Sequence, residues 1–180
     1  MEIFAHSFSE DFLLLAPRAP FNTSTSGYGW TEQHHQGFSK ASDFSSVTRD
    51  LMDNIQELLL FLKQPVLPLH LVGFSQGAAL SYYLTATYSV RIGKVACLAG
   101  YIPNGIESSI ESGLLAGKEF FIAHGTQDET VPVQYAREAV QKLQAGRAKV
   151  IYCEDNTGHK LSASCFRGLI TFIRTIPDLN

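Results

Sequence analysis

Cysteine is scarce in this sequence, with three residues, Cys97, Cys153 and Cys165, among 180. The number is odd, and no C-x-x-C spacing or metal-site pairing occurs, so reduced thiols are the expectation. Charge is sparse as well. Only 17% of residues are Asp, Glu, Lys or Arg and the formal net charge is -3. The Lys and Arg residues are scattered, so no basic field exists to hold phosphate backbones, and nucleic acid is not an expected partner. No run approaches the roughly 20 apolar residues that span a bilayer, so no membrane span is expected. The first residues, Met1 to His6, carry no basic segment ahead of an apolar core, and a cytoplasmic location follows by default.

Core-forming side chains are plentiful. Hydrophobic residues make up 45% of the chain, which excludes a disordered chain. At this length roughly 70% of the unfolded surface can be buried in one core, and a single domain over residues 1–180 is expected. Short β-rich runs at 12–16, 69–73, 94–99, 119–123 and 149–153 alternate with segments of helical period. That alternation is the pattern of a parallel sheet covered by helices.

Phe44, Val47, Leu51, Ile55, Leu58 and Leu62 step by three and four, which marks one face of a long helix expected to pack on the sheet. A second helix follows Pro132 and ends at Gly146, and a third carries Phe166, Leu169, Ile170 and Ile173 and stops before Pro177. The stretch 22–29, with its Gly, Ser and Thr, reads as loop.

Gly73-Phe74-Ser75-Gln76-Gly77 places a G-x-S-x-G pattern directly after a strand and directly before a run able to be helical. A serine in that setting sits at a strained strand-to-helix turn, where Gly73 and Gly77 are expected because side chains would collide with neighbouring elements. Ala78 and Ala79 let the helix lie close to the sheet. The helix start supplies free N–H groups, and that of Gln76 would face a developing oxyanion.

The bland reading is a glycine-flanked turn with an inert serine. A hydroxyl is a poor nucleophile until a base takes its proton, so the active reading demands an acid and a histidine later in the chain. Asp128 follows the strand at 119–123, and His159 follows the one at 149–153. Loops beyond the carboxyl ends of parallel strands share one rim, so Ser75, Asp128 and His159 are expected to converge there.

Each residue has a plainer reading too: His159 as a surface histidine and Asp128 as a helix-capping or turn residue. His124 lies just inside its strand end and reads as a buried, hydrogen-bonded structural residue. His34 and His35 are adjacent, which points their rings apart, and metal binding there is not expected. Glu129 and Asp155 are rival acids, the second too close to His159 within its own loop.

These pieces, with Leu14-Leu15-Ala16-Pro17-Arg18-Ala19-Pro20, Gly27-Tyr28-Gly29-Trp30, Ala99-Gly100-Tyr101-Ile102-Pro103, His124-Gly125-Thr126-Gln127-Asp128, Val131-Pro132 and Gly158-His159, resemble the carboxylesterase and phospholipase-type branch of the α/β-hydrolases. That group includes acyl-protein thioesterases and small bacterial carboxylesterases. The resemblance implies a three-layer α/β-hydrolase fold with a mostly parallel central sheet, and hydrolysis of short- to medium-chain carboxylic esters through an acyl-enzyme, without metal or cofactor.

Lysophospholipid and acyl-protein thioester hydrolysis are the alternatives within the group, and a noncatalytic ligand-binding relic is the alternative outside it. Phe74, Tyr101 and Ile102, with Trp30, would line an apolar substrate pocket. Core packing is the competing reading for Tyr101 and Ile102, and packing under its loop the favoured one for Trp30.

The sequence departs from the group at its front. It opens at what resembles the end of the first helix, around residues 3–8, and lacks the first strands and the His-Gly loop that supplies a second oxyanion N–H. The group's third strand, which separates the strand resembling 12–16 from the one before the serine, is absent. The expectation is that these two strands close up against each other, with a homodimer filling the gap as the alternative.

Overall fold

The computed structural model describes residues 7–8, 12–23, 27–32, 37–65 and 68–175. A short antiparallel pair, β1 (Phe21–Thr23) and β2 (Gly27–Gly29), comes first. Helix α1 (Ser45–Phe61) follows behind a 3-10 turn at Ala41–Phe44. Strand and helix then alternate through β3 (Leu69–Phe74), α2 (Gln76–Thr87), β4 (Ile92–Leu98), α3 (Glu107–Glu111), β5 (Glu119–Gly125), α4 (Gln134–Ala145), β6 (Lys149–Asp155) and α5 (Ala163–Arg174).

Strands β3 to β6 pair in parallel, side by side in chain order. Crossovers between parallel neighbours keep one hand, so a sheet growing in one direction puts its connecting helices on one face. The packing agrees: α2, α3 and α4 cover one face, and α5, which follows the last strand, covers the other.

Alternation along the central strands explains why the sheet needs covering twice. Val95, Cys97, Phe120 and Ile122 point to the first face, whereas Ala96, Leu98, Phe121 and Ala123 point to the second. All eight are at most 1% exposed. Parallel strands with apolar side chains on both sides are stable only between two layers.

The second layer is secured by a lysine. Lys94, 3% exposed, donates its ammonium to the carbonyl of Phe172 at 2.5 Å and to that of Thr175. These carbonyls belong to the end of α5, where the helix has no partners of its own to offer. Burial lowers the pKa of Lys94 by disfavouring its charged form, while Glu119 at 3.9 Å acts in the opposite sense.

Four expectations are corrected. Residues 12–16 form no strand and pair with none of the described strands; Phe12 instead packs edge-on against His70 of β3 at 6.1 Å. Among the described residues the outer edge of β3 therefore has no strand beside it. The stretch 22–29 is not all loop, since Asn22 faces Tyr28 across the β1–β2 ladder.

The third correction concerns α1. It packs Val47 and Met52 against Ala79, Leu80 and Leu84 of α2, with Leu69 and Leu71 of the sheet at the margin of the same cluster, and leaves Leu58 and Leu62 exposed. The run Leu58 to Leu62 is apolar on every side of a helix, so periodicity does not choose its inward face. Fourth, the strand expected at 94–99 begins earlier, and its register with β3 shifts between Leu69 and Leu71. The amide of Lys94, displaced from the ladder, donates to His70 Nδ1 at 2.9 Å. The pair His34–His35 and residues 3–6 lie outside the described residues. Among the described residues no helix is long and apolar enough to cross a membrane.

Candidate active site

Ser75 stands between the last residue of β3 and the first of α2, with φ 54° and ψ -119°. A non-glycine residue with positive φ is strained, and only surrounding structure can hold it there. Here the Ser75 amide donates to Leu98 O at 2.8 Å, and its carbonyl accepts the amide of Ala78 at 2.9 Å. The chain thus turns from ladder to helix across one residue.

Close approach makes the turn possible. A Cβ at Gly73 would stand 2.1 Å from the carbonyl oxygen of Gly77, and one at Gly100 would stand 2.3 Å from Ala78 Cβ. Gly77 differs from the expectation: a Cβ there would meet only Trp30 Nε1, at 3.8 Å. Glycine is required at the strand end, where backbone meets backbone, and not at the helix position.

The Gln76 amide lies in the first turn of α2, where no intrahelical acceptor exists for it. Its side chain has a role that sequence reasoning missed. Oε1 accepts the amide of Trp30 at 2.7 Å, and Nε2 donates to Thr31 Oγ1 at 2.8 Å and to Ser39 Oγ at 3.3 Å. Gln76 thereby fastens the loop after β2 beside the serine. An amide side chain inside the motif was the available signal, but it has no local partner that spacing could reveal.

Asp128 is 6% exposed. Its Oδ1 accepts the amides of Thr130 and Val131, both at 2.9 Å, and its Oδ2 accepts Nδ1–H of His159 at 2.7 Å. A carboxylate can only accept, so Nδ1 of His159 carries the proton and Nε2 is left as the basic nitrogen. Burial pushes the Asp128 carboxyl up, but the Val131 amide, His159 and the Thr130 amide outweigh it, and the net shift is downward. One oxygen of Asp128 thus serves its own turn, and the other faces the imidazole of His159.

His124 is buried as expected. Nε2 donates to Val131 O at 2.8 Å and lies 3.4 Å from Asp128 Oδ2, while Nδ1 is buried without a partner among the described residues. Of the rival acids, Asp155 accepts Ser164 Oγ at 2.5 Å and the Asn156 amide at 2.8 Å, and Glu129 is exposed.

His159 follows β6, and its ring lies 4.9 Å from that of Phe74, the neighbour of Ser75. The hydroxyl of Ser75 makes no hydrogen bond with a described residue, His159 included. Phe74 is 42% exposed. Tyr101, in contrast, sits in the core with its hydroxyl accepting the Ser39 amide at 3.0 Å, and Ile102 and Trp30 pack partly buried against the core.

The cysteines overturn an expectation. Cys153, in β6, and Cys165, in the first turn of α5, form a disulfide, so only Cys97 is free. They stand 12 positions apart, a spacing that is no recognisable motif, and the packing of α5 on β6 brings them together. Cys97 is buried, which pushes its thiol far up and leaves it inert.

A parallel sheet between helical layers, with a strained serine at a strand-to-helix turn and an aspartate–histidine pair at the neighbouring strand ends, defines an α/β-hydrolase fold. A model of the phospholipase/carboxylesterase family matches residues 18–176, and the chain belongs to that family. Acyl-protein thioesterase 1 of Emericella nidulans is 30% identical over 131 residues, 69% of this chain and 48% of that protein. The chain therefore spans about half the length of the curated relative it matches.

Among solved structures, the Bacillus cereus carboxylesterase matches 94% of this chain and 78% of its own with a TM-score of 0.79 at 19% identity. A variant of Arabidopsis thaliana SOBER1 matches 96% and 90% with a TM-score of 0.75 at 20% identity. At such identities the likeness is one of fold.

Proposed function

We propose that the chain is a serine hydrolase of carboxylic esters with short to medium acyl groups. The observation that carries this reading is the 2.7 Å hydrogen bond from His159 Nδ1 to an Asp128 carboxylate held by two amides. It fixes the tautomer whose Nε2 can take a proton from Ser75. Ser75 attacks the ester carbonyl, His159 accepts its proton and then protonates the leaving alcohol, and the Gln76 amide stabilises the oxyanion. Water, activated by His159, then releases the acid from the acyl-enzyme.

Short chains are favoured because the segment after Ile102 buries Ile106, Ile110 and Leu115 in the core instead of lining a channel. The relationship to a thioesterase favours a second reading, an acyl-thioester substrate, and relative turnover of palmitoyl-thioester and p-nitrophenyl butyrate separates the two. For the mechanism itself, p-nitrophenyl acetate and butyrate hydrolysis is compared between the intact protein and Ser75→Ala. Loss of at least a thousandfold is expected, on the order seen when a nucleophile is removed, whereas equal rates would discard the mechanism. Failure of a fluorophosphonate probe to label Ser75 would favour a noncatalytic binding protein.

A further inference from the structure

The His159 loop is stapled at both ends. Cys153 lies two residues before the end of β6 and Cys165 in the opening turn of α5, so the disulfide closes the chain on either side of the imidazole. We infer that the Cys153–Cys165 disulfide is a positioning element for His159, and that its reduction lowers turnover without unfolding the protein; the inference rests on the hydrolase reading for its functional consequence.

The loop's other fastenings show why the bond matters. Its first half is tied to the neighbouring strand end: the Thr126 amide donates to Asp155 O and the Gln127 amide to Thr157 O, both at 2.9 Å. A Cβ on Gly125 would stand 2.2 Å from Thr157 O, so the approach is close.

Among the described residues the second half has no such backbone ties. Lys160 N donates to Gly158 O, Thr157 Oγ1 to Lys160 O, Ser164 Oγ to Asp155 Oδ2, and Cys165 N to Ser162 Oγ. Each of these bonds returns to the loop itself. His159 lies at the junction, anchored on one side by β5 and on the other by the covalent link that pins the start of α5 to β6.

Without the link, the bonds among the described residues that remain to the segment from residue 160 to the start of α5 are local, beside the packing of its apolar side chains. The imidazole then samples positions away from Asp128. Misplacement of a catalytic group by about 1 Å costs up to about a hundredfold in rate.

Access is unequal for the two sulfurs. Cys165 is 1% exposed, whereas Cys153 is half-buried. A dithiol reductant attacks through one thiolate at Cys153 Sγ; the S–S bond breaks, and its electron pair leaves on Cys165 Sγ, which takes a proton. The reductant's second thiol then displaces Cys153 from the mixed disulfide, so two protein thiols form and the reductant departs as a disulfide.

The test uses the full chain, oxidised and after dithiothreitol treatment, with alkylation and peptide mass mapping to report the state of Cys153 and Cys165. Reduction is expected to lower kcat for p-nitrophenyl butyrate by about tenfold to a hundredfold with KM within about twofold, and reoxidation restores it. The Cys153→Ala/Cys165→Ala variant should sit at the reduced rate and ignore dithiothreitol, and Cys97→Ala should keep the full response. Amide hydrogen exchange is read in parallel. On reduction it should rise at least tenfold in residues 156–162 and stay unchanged in β4 and β5.

Unchanged kcat in protein mapped as fully reduced, or a map showing no Cys153–Cys165 linkage, overturns the inference. Absence of Ser75-dependent turnover in both redox states defeats the hydrolase reading alone. Loop exchange then decides the positioning role: a selective rise supports it, and no change overturns it.

Discussion

At Asp128, two opposing effects act on one carboxyl. Removal from water favours the neutral acid, while two amides and an imidazole N–H favour the anion, and the second group wins. The division between the oxygens is what Asp128→Asn would break. An amide at that position can still accept from Thr130 and Val131 through its carbonyl, but its NH2 would face His159 Nδ1 and impose the wrong tautomer. The variant should therefore fold with a near-unchanged Tm and lose on the order of a thousand- to ten-thousandfold in kcat on p-nitrophenyl butyrate. A large fall in Tm with a small fall in kcat would mean that Asp128 serves only its turn.

The elbow between β3 and α2 is where two glycines that look equivalent in a motif separate. Gly73→Ala would drive a methyl group into the Gly77 carbonyl, backbone against backbone, so no rotamer can relieve it. The expected cost is about 3 kcal/mol in chemical denaturation. Gly77→Ala makes only an ordinary contact with Trp30 Nε1, at 3.8 Å, in a helical turn, and alanine stiffens the unfolded chain and the helix alike. That variant should be neutral or more stable by up to about 1 kcal/mol. Equal destabilisation by the two substitutions would contradict the geometry.

Element types were largely legible. The apolar β-rich runs from residue 69 onward became β3 to β6 within a few residues of their expected ends. Residues 12–16 carry the same apolar character, but a strand needs a partner whose ladder groups face it, and no described strand lies next to them. Composition reports the fitness of a segment for a sheet and says nothing of whether a neighbour is there.

Across the molecule, acid should undo the contacts that join the layers. Glu154, at the end of β6, binds Arg137 of α4 through both oxygens at 2.7 and 2.9 Å, and accepts the Tyr152 hydroxyl. The Arg137 guanidinium first, and Tyr152 after it, hold its carboxyl down at about 2. A carboxyl ordinarily titrates near 4.3 in an unfolded chain. Its folded value is depressed, so the stabilisation is complete above that ordinary range and fades as pH falls towards 2.

Asp128 and Asp155 are shifted in the same direction, the latter chiefly by Ser164. Tm is therefore expected to drop between about pH 5 and pH 2. In Glu154→Gln the fall in Tm over that range should be smaller, though only modestly so because the pair is partly exposed to solvent. A slope identical to that of the parent protein would remove the Arg137–Glu154 pair from the account.

Local order was decided by the sequence alone: alternation of apolar residues, the serine between glycines, and an aspartate and a histidine placed after successive strands. Those features arise from side-chain period and backbone sterics, which act between near neighbours. Only the tertiary structure decided that Cys153 meets Cys165, that Gln76 clamps a loop through its side chain, that Tyr101 sits in the core, and that β3 is an edge among the described strands. Each depends on which elements come to lie against which, and that is set by the sum of many weak contacts between residues far apart in the chain.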